Sequence, residues 1–111
     1  MNIEQICKAK NDILKFAELI GFQITEAQKE ICVELVTSLK NFNEACNVVN
    51  KIQIGSLDER IGSFALWTFW NSVFHPYVNT AVICDSASTR DRFSEKLTSA
   101  FCGFFLPSNY L

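Results

Sequence analysis

The sequence predicts an α/β fold: two N-terminal helices followed by a β-α-β-α unit. Three stretches carry that expectation. Cys46 to Ile54, "CNVVNKIQI", is rich in β-branched residues and reads as a strand. Thr80 to Asp85, "TAVICD", is a short continuous apolar run of the kind found in buried parallel strands. Between them, Leu57 to Phe74 is apolar on almost every side, as in a helix covered on several faces. Strand, helix and strand at this spacing form a right-handed βαβ unit. The chain of 111 residues is the size of one domain, residues 1–111. Residues 1–22 form an N-terminal helix and residues 23–111 the α/β portion.

The elements follow in order. From Ile3 to Ile20 much of the apolar pattern, with Ile6, Cys7, Ile13, Leu14, Phe16, Ala17 and Leu19, fits one face of a helix. Gly21 is its expected stop. "TEAQ" then reads as a capping box, with Thr25 accepting from the Gln28 N–H and the Gln28 side chain reaching back. The helix it opens places Ile31, Cys32, Leu35, Val36 and Leu39 at helical spacing and fades in "KNFNEACN". Gly55 breaks the first strand, and Pro76 ends the long apolar helix. Asp85 or Ser86 caps the last helix, which holds Phe93, Leu97, Ala100 and Phe101. The tail "CGFFLPSNYL" is apolar and interrupted by Gly103 and Pro107.

Composition narrows the function classes. Hydrophobic residues make up 49% of the chain, enough to build a core and too many for a disordered one. A net charge of −2 with no Lys/Arg run gives no general attraction to nucleic acid or anionic membranes. The five cysteines are scattered without a C-x-x-C pair, and His75 is the single histidine. Neither a zinc site nor a disulfide framework is indicated; free thiols in a reducing cytoplasm are the simpler reading. The N-terminus lacks the apolar run of a signal peptide. The most apolar segment, Ile61 to Phe74, falls short of the about 20 residues of a membrane helix.

"KIQIGSLDER", Lys51 to Arg60, begins as a phosphate-binding loop does: an apolar strand, a glycine, then a helix. Four pieces together, "ITEAQKEI", "NKIQIGS", "SFALWTFWNSVFHP" and "NTAVICDSASTRDRFSEKL", resemble the ATPase domain of the large terminase subunit of tailed phages. The resemblance runs from about Ile24 to Leu97. It implies a truncated P-loop-NTPase-like fragment in which Gln28 contacts adenine and Gln53, Gly55 and Ser56 belong to a phosphate loop. In that register Ser56 stands where the family has its lysine and Leu57 where it has the magnesium-binding hydroxyl. The chain stops before any acidic Walker B strand.

Chemistry argues that the loop is vestigial. Leu57 cannot ligate magnesium, and Ser56 carries no charge. A lysine–phosphate pair at about 4 Å and an effective dielectric of about 20 is worth about 4 kcal/mol before desolvation. Ser56 and Glu59 instead read as a second capping box, with Asp58 and Glu59 complementing the positive end of the helix dipole. No catalytic residues, metal ligands or cofactor are expected; ATP and magnesium enter only if a partner chain completes the site, with Arg60 substituting for the lysine.

Other candidates have structural readings beside functional ones. Asp85 at a strand end is a helix cap before it is a catalyst. His75 at a helix end interacts with the dipole. Trp67, Phe69, Trp70 and Phe74 form a base-stacking platform only with interleaved basic residues, which are missing. A lone pair of parallel strands exposes unpaired edges, and the Trp-rich helix needs cover. Both features predict a protein partner, another chain or a second copy, with Trp67, Trp70 and Phe74 at the contact. The expected function is a non-catalytic, phage-derived terminase-like domain that modulates or inhibits a packaging or host-defence assembly in the bacterial cytoplasm. The alternative is the N-terminal segment of a split packaging ATPase.

Overall fold

A computed structural model describes residues 2–38, 52–74 and 86–105. They form five α-helices: α1 (Ile3–Asn11), α2 (Ile13–Ile20), α3 (Glu26–Ser38), α4 (Leu57–Phe74) and α5 (Ala87–Phe105). Among the described residues there is no strand, so the α/β expectation and its β-α-β-α unit are corrected to an all-helical arrangement. The second expected strand, Thr80 to Asp85, lies outside the described residues, as do Cys46 to Lys51 of the first. Ile52, Gln53 and Ile54 are described and belong to no ladder. They still alternate in burial, with Ile52 inside, Gln53 exposed and Ile54 half-buried. Alternation is what a half-buried strand would show. Here it comes from Ile52 and Ile54 packing with Ile31, Leu35, Phe64 and Trp67 of two helices. The apolar contact that β-branched side chains ask for is met by helices rather than by a neighbouring strand.

The single N-terminal helix is also corrected. Asp12 divides it, serving as C-cap of α1 and N-cap of α2 with φ −147° and ψ 108°. Its carboxylate oxygen accepts from the Leu14 N–H at 2.9 Å. A short acidic side chain that bonds its own neighbourhood competes with the helical ladder, and here it wins. α1 begins in a capping box of its own, between Asn2 and Gln5. The stop at Gly21 is as expected: its φ of +71° is left-handed, and its N–H donates to α2 carbonyls. Ser86 caps α5 by accepting from the Thr89 N–H at 3.2 Å. α5 runs on through Gly103 to Phe105, so that glycine does not interrupt it.

α4 is the centre of the fold, packing on α2, α3 and α5. Its buried residues include Ile61, Ala65, Leu66, Phe69 and Trp70, spread round the helix as the sequence pattern required. The main core joins Leu66, Phe69 and Trp70 to Ala9 of α1, Ile13, Phe16, Ala17 and Ile20 of α2, Cys32 of α3 and Ala100 of α5. The Phe16 ring meets Phe69 at 5.9 Å and Phe74 edge-on at 5.6 Å between centroids. No helix among the described residues is long and apolar enough to cross a membrane.

Candidate functional site

The candidate nucleotide residues meet where the N-termini of α3 and α4 lie side by side. Each terminus carries the capping box that its sequence announced. In the first, the Thr25 N–H donates to Gln28 Oε1 at 2.9 Å and the Gln28 N–H to Thr25 Oγ1 at 3.2 Å. In the second, the Ser56 N–H donates to Glu59 Oε1 at 3.0 Å and the Glu59 N–H to Ser56 Oγ at 3.2 Å. Gly55 leads into this turn at φ +71°, a conformation that a Cβ disfavours.

The two boxes are also bonded to each other. The Thr25 hydroxyl donates to Glu59 Oε2. Gln28 Nε2 donates to the Glu59 backbone carbonyl at 3.2 Å, and the Ser63 hydroxyl reaches the same carbonyl at 2.9 Å. Gln28 is buried, and both ends of its amide are occupied. Gly62 makes the approach possible: a Cβ there would stand 2.7 Å from Gln28 Nε2. One residue, Glu59, thus serves both helix ends.

The electrostatics follow from that geometry. The first-turn N–H groups of two helices make a positive pole that draws an anion. The Glu59 carboxylate supplies it from within the chain. Hydrogen bonds from the Thr25 hydroxyl and then from the Ser56 N–H hold the Glu59 carboxyl below the ordinary carboxylate range. Asp58 beside it pairs with Arg92 of α5 at 3.2 Å. The Arg60 side chain turns back on the Ser56 carbonyl at 3.4 Å.

The expected site residues separate accordingly. Gln28, Gly55 and Ser56 are brought together, but as parts of a helix junction. Gln53 is exposed beyond it. Of Trp67, Trp70 and Phe74, read as contact residues, Trp70 belongs to the core, and Trp67 and Phe74 are half-buried and pack against it. Trp70 is buried, and its indole N–H donates to the Ala9 carbonyl at 2.8 Å. That carbonyl lies in the last turn of α1, where helical partners run out. His75 and Asp85 lie outside the described residues. Among the described residues no group of three or more His, Cys, Asp or Glu side chains could hold a metal ion. Cys32 is buried, and desolvation pushes its thiol up to about 11, far from a nucleophile's range.

Sequence reading missed the bridge between the boxes. "TEAQ" and "SLDE" each announced a helix start, but the pairing of Thr25 with Glu59 spans 34 positions and has no local signature. Comparison of the chain with protein-family models, with curated proteins and with solved structures gives no match.

Proposed function

We propose that this chain is a non-catalytic helical domain that works through contact with another protein or a second copy of itself, in the cytoplasm of a bacterial host. The observation that carries this reading is the Glu59 junction. The Gln28 amide that would face adenine and the helix N-termini that would face phosphate are engaged by groups of the chain itself. An incoming triphosphate would have to displace a carboxylate already bonded to two donors, with no lysine in the loop to reward it. The packaging-motor resemblance adds little to this reading, because the described residues have no βαβ frame around the loop.

Titration with Mg-ATP, followed by amide chemical shifts, tests the reading. The expected result is no saturable shift at Thr25, Gln28, Ser56 or Glu59. Saturable shifts at those residues, abolished by Gly55→Ala in a folded variant, would overturn it and favour the split-ATPase alternative.

A further inference from the structure

α1 and α2 adjoin in sequence but are held to the fold very differently. α2 buries Ile13, Phe16, Ala17 and Ile20. α1 buries Ala9, and its other residues are all exposed. Buried apolar area is what fixes a short helix in a fold, and an alanine methyl supplies little of it. α1 packs chiefly on α2, its neighbour along the chain. A long-range hydrogen bond fastens it to the centre of the fold, from the Trp70 indole N–H to the Ala9 carbonyl.

The other polar contacts of α1 among the described residues are local. Asn2 and Gln5 close their capping box. Lys8 pairs with Glu4 at 3.4 Å, and the Asn11 amide donates to the Cys7 carbonyl at 3.1 Å. These bonds hold the helix together without holding it to a neighbour. The joint to α2 is a single residue, Asp12, in extended conformation, with its carboxylate on the Leu14 N–H. Rotation at one such position between two elements swings a whole element.

From these features we infer that α1 is a latch that opens as a unit about Asp12, ahead of the rest of the fold, and that opening bares the Trp70 indole. The closed state rests on one methyl-sized contact and one bond in the core. A nine-residue helix is marginal on its own in water, so α1 loses its ladder whenever it leaves its seat. The contacts of α4 with α2, α3 and α5 do not run through α1, so the core stays closed meanwhile. Asp12 sets the angle at which Ala9 meets Trp70, because its cap breaks the helix between them and α2. The latch is thus controlled from both sides, by a donor on α4 and by a cap at the joint.

Hydrogen exchange of the whole chain, followed amide by amide by NMR, tests the proposal. The amides from Cys7 to Asn11 and the Trp70 indole N–H are expected to share one protection factor. That factor is expected to lie about a hundredfold or more below those of the Leu66 to Trp70 amides in α4. Asp12→Ala, which removes the cap, should speed exchange of α1 and of the indole about fivefold and leave the α4 amides unchanged. Asp12→Asn keeps a capping oxygen and should restore the slow rate.

An indole N–H that exchanges with the α4 amides instead of with α1 would overturn the latch. So would protection in α1 that falls off steadily toward Ile3, which is fraying from the end and not opening at a joint. An Asp12→Ala variant whose α4 amides stay protected but whose indole exchanges no faster would overturn it as well. If Asp12→Ala exposes α4 too, then α1 and the core open together, and the latch is equally refuted.

Discussion

Trp70→Phe is the sharpest test of how the N-terminal helix is held. The indole N–H of Trp70 donates to the Ala9 carbonyl across 61 positions of sequence, inside the core. Phenylalanine keeps an aromatic ring against Phe16's neighbourhood but has no donor. The Ala9 carbonyl would then be left buried at a helix end without its partner. An orphaned buried acceptor costs about 1–3 kcal/mol. The smaller ring leaves a partial cavity costing about 1 kcal/mol more. The sum, about 2–4 kcal/mol, is a large fraction of the about 5–15 kcal/mol that holds a small domain together. Urea denaturation followed by circular dichroism at the helix band measures it without relying on indole fluorescence. The expected result is a lower midpoint together with a selective loss of amide exchange protection in α1. A change below about 0.5 kcal/mol, with α1 still protected, would refute the argument, since surface-type substitutions alone fall in that range.

Three further outcomes are expected. The Glu59 carboxyl sits below its ordinary range in the folded chain, so its contribution is complete above the ordinary carboxylate range and disappears as pH falls through the lowered value. Thermal midpoints should therefore drop on acidification, less so in Glu59→Gln; an identical pH profile in the variant would contradict this. Gly55→Ala should destabilise more than Gly21→Ala. Both sit at φ +71°, costing about 1–2 kcal/mol for a Cβ, but only at Gly55 does the new atom meet Ala27 Cβ at 3.0 Å. Equal midpoints for the two variants would argue against close packing at the junction. In native protein a thiol reagent near neutral pH should label Cys7 quickly and Cys32 only after denaturant is added, read by peptide mass spectrometry.

Much of the local structure was legible before the fold was known. The boxes at Thr25–Gln28 and Ser56–Glu59, the stop at Gly21 and the all-round apolar helix α4 each depend on side chains within four residues of one another. Such signals survive any tertiary arrangement. Asp12 was misread because its effect is a competition: the apolar pattern from Ile3 to Ile20 favours continuation, and one carboxylate bonded to Leu14 N–H ends it. The run through Ile54 misled for a related reason. Alternating β-branched residues announce a half-buried surface, but whether a strand or a helix lies on the other side is not written in the run itself.

The sequence by itself therefore determined the starts of α3 and α4, the stop at Gly21, and that α4 would be covered. Only the tertiary structure decided what covers it, and which groups the turn at Gly55 and Ser56 meets. Two helix starts 34 residues apart become one junction because Gly62 lets Gln28 approach and Glu59 reaches Thr25. Local capping is a matter of a few bonds along the chain. The choice of which helix ends meet is a matter of packing, and packing is set by all the buried side chains at once.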